Sequence, residues 1–340
     1  MSSKPGIAVI GCGYWGINYV RVFNELPGVH VAAICDQREE RLQEVGQQFP
    51  GAALVTNVDD LLKRKDVDGI VLCTPAMAHY DVTKACLKAG KHILVEKPIT
   101  TKAVHAEDLI DIAEHKDVTL MVGHTFLFNG AVQKVKEWVD KDDMDRVYYL
   151  YSRRTNLGPI RHDVNALWDL APHDISIFNY LLDQKPQWVS ATGSRVLQNE
   201  REDVGFVSLG YEDDIVGHIH VSWVDPNKVR EMVVVGSNRR IVFDDTQSIE
   251  QVRVFEKGIV SEPSDTGTFG EFRLQVRNGD IISPHIEISE PLKNQCLHFL
   301  ECINQKQRPV TDGQAGLAVV EVMEAIDQSI KQHGIPVELN

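Results

Sequence analysis

Two stretches of the chain combine residue types and spacings suited to chemistry. The first is Gly11-Cys12-Gly13-Tyr14-Trp15-Gly16, a G-x-G-x-x-G run entered directly from the apolar segment 7–10. Each glycine has a task there: Gly11 permits a tight turn, Gly13 lets backbone approach a pyrophosphate, and Gly16 lets the following helix pack on the strand. The helix start, with Tyr14 and Trp15 in its first turn, offers unpaired N–H groups and a positive dipole end to that anion. Asp36 closes the next apolar run twenty residues beyond Gly16. That is the offset at which a carboxylate accepts hydrogen bonds from an adenine-ribose diol. Strand, glycines, helix, strand and acid in that order imply dinucleotide binding. Arg38 is a side chain of the kind that accommodates a 2′-phosphate, but Asp36 would repel that group, so the pattern favours NAD over NADP.

The second stretch is Glu96-Lys97-Pro98, which follows the apolar run 92–95. Its order is acid, base, rigid turn, and the proline stiffens the point where Lys97 departs. A lysine there could donate a hydrogen bond or a proton to a substrate hydroxyl. Burial beside a cofactor would lower its pKa from about 10.4. A surface ion pair after a strand is the alternative reading of the same residues.

The elements that must position these residues alternate. Short apolar runs near 7–10, 29–35, 53–55, 69–73, 92–95 and 118–122 are separated by segments with helical apolar spacing. That pattern predicts an α/β fold with a doubly wound parallel sheet, whose ligands bind at the carboxyl ends of the strands. Those ends are Gly11, Asp36, Thr74-Pro75, Glu96-Lys97-Pro98 and Gly123-His124. The alternation stops after Gly123, where strand patterns begin to predominate. The expected division is a dinucleotide-binding domain over 1–125 and an α+β domain over 126–340.

The glycine loop, Thr74-Pro75 with His79 following, and Glu96-Lys97-Pro98 together resemble the glucose–fructose oxidoreductase / inositol dehydrogenase / rhizopine-catabolism (Gfo/Idh/MocA) family. The resemblance covers essentially the whole chain. It implies an N-terminal Rossmann domain and a C-terminal α+β domain with a large open, mostly antiparallel sheet, which binds sugar and often oligomerises. It implies oxidation or reduction of a sugar or cyclitol ring carbon with NAD or NADP, Lys97 contacting the reacting hydroxyl. The family's D-x-x-x-H signature matches Asp169-Leu170-Ala171-Pro172-His173. By that match His173 is the general acid/base and Asp169 positions the substrate or tunes His173. Residues four apart share a helix face, and Pro172 predicts that this helix has only just begun. On the residues alone, a helix cap beside a solvated histidine, or a metal pair, also accounts for them; no further ligands with convincing spacing are found, and no metal is expected.

The net charge of −14 and the lack of a basic stripe argue against a nucleic-acid partner. No apolar stretch approaches bilayer-spanning length, and no signal-peptide core stands near the start, so no membrane partner and a cytoplasmic location are expected. The six cysteines show no C-x-x-C spacing. In the second half, strands are predicted at 147–155, 187–194, 204–211, 215–223, 229–236 and 240–243, and helices at 291–305 and after Asp312-Gly313. His218 and His220 share one strand face.

Arg153, Arg154 and Arg161 cluster around the polar loop 156–165 that leads into Asp169. Strand alternation allows only one of Arg153 and Arg154 to face a given side. Arginine forks match carboxylate or phosphate oxygens, while Asn129, Asn156 and Asn165 suit hydroxyls. The expected substrate contacts are His124, Asn129, Arg153, Asn156, Arg161 and Asn165. An acidic sugar or nucleotide sugar fits them better than a neutral one. The stretch 155–175 also resembles family members that oxidise the 3-hydroxyl of UDP-linked N-acetylglucosaminuronate in surface-polysaccharide pathways. A free-sugar or inositol dehydrogenase and a non-enzymatic dinucleotide sensor are the alternatives. A homodimer or homotetramer through the second-domain sheet is expected.

Overall fold

The structure is a computed structural model; it describes residues 4–141, 144–158, 160–161, 163–197, 200–262 and 273–339. The chain forms two compact units. One is Met1–Phe128 with Ser289–Glu321, the other Asn129–Ile288 with Val322–Asn340.

The first unit runs β1 (Gly6–Ile10), α1 (Tyr14–Glu25), β2 (His30–Cys35), α2 (Glu39–Gln48), β3 (Ala53–Val55), α3 (Val58–Leu62), β4 (Gly69–Leu72), α4 (His79–Lys88), β5 (His92–Glu96), α5 (Ala103–Lys116) and β6 (Leu120–Gly123). The six strands are parallel in the order β3-β2-β1-β4-β5-β6. Helices cover both faces of such a sheet, so its strands need apolar residues throughout, and every residue of β1, β4 and β6 is buried. The order reverses between β1 and β4, which opens a crevice at their carboxyl ends.

The second unit contains α6 (Gly130–Val139), β7 (Val147–Thr155), α7 (Ala166–Leu182), β8 (Trp188–Ser194), β9 (Val204–Gly210), β10 (Val216–Ser222), β11 (Val229–Gly236), β12 (Arg240–Asp244), β13 (Val252–Phe255), β14 (Gly258–Glu262), β15 (Arg273–Arg277) and β16 (Ile281–Ile282). A nine-stranded sheet has the order β16-β13-β12-β11-β7-β10-β9-β8-β17, where β17 is Val337–Glu338; β14 and β15 pair separately. Among the described residues only β7 and β10 run parallel in the larger sheet. Leu150, Ser152 and Arg154 of β7 are buried on the side where α7 packs. Tyr149, Tyr151 and Arg153 alternate onto the open face. There Tyr149 and Tyr151 stack with centroids 6.4 Å apart, and Phe206 stacks on His220 at 4.4 Å.

After β16 the chain returns to the first unit as α8 (Pro291–Gln305). Leu292, Cys296, Phe299 and Leu300 join Val9, Tyr19 and Phe23 in one apolar cluster. The helix α9 (Gly313–Lys331) then leads out of the first unit into the second. Among the described residues no helix is long and apolar enough to cross a membrane.

Candidate active site

A parallel sheet brings all its strand ends to one edge, and in the first unit that edge carries Gly11, Asp36, Thr74, Lys97 and His124. Gly11 adopts φ +93°, a conformation that favours glycine. A Cβ on Gly16 would stand 1.8 Å from the Gly11 carbonyl oxygen, so helix and turn could not approach as they do. The first turn of α1 has no acidic residue and no side-chain cap, and Tyr14 is 79% exposed and Trp15 47% exposed. Its N–H groups and dipole are therefore available to an anion.

Asp36 is buried, and its Oδ2 accepts the Cys12 N–H at 2.7 Å. The Arg38 guanidinium forks onto the same carboxylate at 3.0 and 2.9 Å. Hydrogen bonds from that side chain, opposed by burial and helped by the Arg38 and Cys12 backbone N–H groups, hold Asp36 down at about 2. A fixed carboxylate beside a glycine turn and an open helix start fits a dinucleotide, with the glycine loop toward the phosphates and Asp36 toward the ribose.

The next two strand ends are tied together. His79 Nδ1 lies 2.7 Å from the Pro98 carbonyl oxygen and Nε2 lies 2.8 Å from that of Thr74. One buried imidazole thus bridges the turn after β4 and the turn that presents Lys97. The Thr74 hydroxyl is buried and without a hydrogen-bond partner among the described residues. Glu96 is buried and accepts from Tyr19 Oη at 2.8 Å and from the Lys97 backbone N–H at 3.1 Å. Glu96 pairs in register with Gly123, which sets His124 beside Lys97. His124 is 1% exposed, and neither ring nitrogen has a hydrogen-bond partner among the described residues. Burial, followed by the Lys97 charge, pushes its pKa down to about 3, so the ring is neutral at any working pH.

In the second unit, α7 carries Asp169 and His173 one turn apart. The helix begins at Ala166, capped by the Asn165 side chain, which accepts from Trp168 N–H at 2.9 Å. Pro172 is therefore well inside the helix and not at its start, contrary to the expectation from proline chemistry. The lost N–H bond is tolerated because most of α7 is buried against the sheet. Asp169 accepts from Arg161 Nη1 at 3.1 Å and from Trp223 Nε1 at 3.3 Å. The residue after His173, Asp174, receives a buried two-pronged bond from Arg154 at 3.0 and 2.9 Å.

The expected substrate contacts separate on inspection. Arg161 reaches Asp169 but also forks onto Asp163. Arg153 lies on the open face beside His220, away from α7: the period of two puts it opposite Arg154, and Arg154 is the one buried on the side where α7 packs. Asn129 and Asn165 are helix caps, Asn129 accepting from Ala131 N–H at 2.8 Å. Asn156 donates its backbone N–H to Ser222, prolonging the β7–β10 pairing. Residues 159 and 162 of the same loop lie outside the described residues. Among the described residues no group of three metal-ligating side chains converges. Sequence reasoning missed Tyr19 and Gln295 behind Glu96 in the first unit, and in the second unit Trp223 on Asp169 and the Arg154–Asp174 pair next to His173. A tyrosine on the helix after a glycine loop was the one available signal, since a buried phenol requires a partner.

Residues 6–124 match the oxidoreductase family with an NAD-binding Rossmann fold, and residues 132–242 match the GFO/IDH/MocA C-terminal domain. The chain belongs to the GFO/IDH/MocA oxidoreductase family. Its relatives include the UDP-N-acetylglucosamine 3-dehydrogenase of Acidithiobacillus ferrooxidans, 24% identical over 92% of this chain and 93% of that protein. The myo-inositol 2-dehydrogenase of Thermotoga maritima is 25% identical over 74% of this chain and 79% of that protein. The WlbA dehydrogenase of Bordetella pertussis, solved with NADH and UDP-GlcNAcA, shares the fold at a TM-score of 0.80, 20% identity and 99% coverage of each chain. This GFO/IDH/MocA member is thus an oxidoreductase that binds NAD on the Rossmann unit.

Proposed function

We propose that this oxidoreductase moves hydride between NAD and a sugar ring carbon, C3 of a nucleotide-linked amino sugar or uronate, on a cytoplasmic route to surface polysaccharide. The observation that supports it best is Lys97 at the strand edge that also carries the glycine loop and Asp36. NAD, when bound, supplies the hydride acceptor. Lys97 donates a hydrogen bond to the reacting hydroxyl oxygen, and His173 accepts its proton, a task suited to an imidazole. Asp169, gripped by Arg161 and Trp223, orients the sugar. His124 offers a neutral imidazole beside Lys97 for an uncharged polar group of the bound ligands. Asn156 and Arg161 contribute hydroxyl and anion contacts from the loop before α7. A second copy of the chain covers the open face of the nine-stranded sheet.

NADH formation, followed with NAD and either UDP-N-acetylglucosamine, its uronate or myo-inositol, tests the reading. Turnover of a UDP-sugar, lost on Lys97→Ala by about 10²–10⁴-fold with NAD still bound, is the expected result. Turnover of inositol alone would move the substrate to the free cyclitols, which the Thermotoga relative's name favours. Undiminished turnover in Lys97→Ala removes Lys97 from the chemistry.

A further inference from the structure

We infer that Gln295 and Tyr19 are positioning residues for Lys97, joined to it by a buried chain of amide, phenol and carboxylate that starts on α8. The inference rests on the role of Lys97 proposed above. Gln295 Nε2 donates to Tyr19 Oη at 2.6 Å, Tyr19 Oη donates to Glu96 Oε1 at 2.8 Å, and Glu96 Oε2 accepts the Lys97 backbone N–H at 3.1 Å. Gln295 and Tyr19 are fully buried and Glu96 nearly so. The chain therefore ends on the peptide that carries the amine, and it connects residues 276 positions apart in sequence.

The surroundings keep the chain intact. Burial first, then the Glu96 charge, holds the Tyr19 phenol far above its ordinary range, so its hydroxyl remains a donor. Cys73 and Cys296 also feel Glu96, and burial keeps both thiols protonated. Gly123 permits the approach of β6, since a Cβ there would stand 3.2 Å from the Glu96 Cα.

Packing alone does not account for the amide. Gln295 Oε1 is buried without a hydrogen-bond partner among the described residues. An orphaned buried oxygen costs stability, and an apolar side chain of similar volume would fill the same face of α8 without that cost. Among the described residues the bond the amide makes is to Tyr19.

Tyr19→Phe, Gln295→Met, the double variant and Lys97→Ala, all in the full chain, separate the possibilities. Activity is read with NAD and whichever of the three sugars above the unaltered chain oxidises. Tyr19→Phe lowers kcat about tenfold and Gln295→Met about threefold, with the KM for NAD unchanged. Gln295→Met unfolds at the same or a higher temperature than the unaltered protein. The double variant is no slower than Tyr19→Phe alone, because Gln295 acts through Tyr19. In the absence of sugar, the ¹³C signal of reductively methylated Lys97 shifts in both single variants. An unshifted Lys97 signal with unchanged kcat in Gln295→Met overturns the inference, as do losses that simply add. Should Tyr19→Phe not fold, Gln295→Met decides alone. An inactive Lys97→Ala beside fully active Tyr19→Phe and Gln295→Met sinks only the positioning role; an active Lys97→Ala sinks the proposed function with it.

Discussion

The carboxylate of Asp36 accepts the backbone N–H of Cys12 at 2.7 Å, fastening the end of β2 to the glycine loop while Arg38 forks onto the same group. One oxygen pair thus shapes the turn and restrains a cation, and it is the group proposed here to meet the ribose. Asp36→Ala should raise the KM for NAD about tenfold or more, because one or two hydrogen bonds to a charged acceptor are lost. It should also narrow the preference over NADP, since Arg38 is released and the repelling charge is gone. Steady-state kinetics with both cofactors provide the check; an unchanged NAD/NADP ratio would count against Asp36 as the selector. Asp36 is held at about 2, so NAD affinity should show no Asp36-linked change from pH 5 upward.

The buried ring of His124 makes stability depend on acidity. Its folded pKa, about 3, lies below the ordinary histidine value. Between those values the unfolded chain binds a proton that the folded chain refuses, so stability falls as pH drops through 6.5 towards 3. The contribution is on the order of 3 kcal/mol by pH 4. Urea unfolding of the unaltered protein and His124→Leu at pH 7 and pH 4 should show a smaller acid loss in the variant. Equal losses would mean that His124 does not stay neutral.

Arg154 and Asp174 form a buried pair with side chains 8% and 3% exposed. Removing one partner leaves an uncompensated charge, so Arg154→Met should cost about 3–5 kcal/mol. The double variant Arg154→Met, Asp174→Leu should recover most of that loss. Denaturant titration measures both, and additive losses would show that the pair is not coupled. Because Asp174 follows His173, recovery of stability without recovery of kcat would assign the pair to aligning the imidazole.

The open face of the large sheet exposes Tyr149, Phe206 and Val216 beside His218 and His220. A charge placed in the middle of that row should split an assembly built on it. Phe206→Asp is expected to lower the mass seen by light scattering, with the fold intact by circular dichroism. An unaltered mass would place the subunit contact elsewhere.

Much of this protein is determined locally. The strand β11 at Val229–Gly236 and the helix α8 at Pro291–Gln305 fall where alternation, helical spacing and the N1 proline place them, since each signal spans only a few residues. The glycine loop, its acid and the E-K-P turn were legible for the same reason, and topology then assigned them to one sheet edge. Tertiary structure decided the rest. A period of two divides Arg153 from Arg154 but does not say which face α7 covers. The parallel β7–β10 pairing, the return of α8 to the first unit, and the Gln295–Tyr19–Glu96 chain all join residues far apart in sequence. Such contacts depend on which surfaces are buried against each other, and that information exists only once the chain has closed on itself.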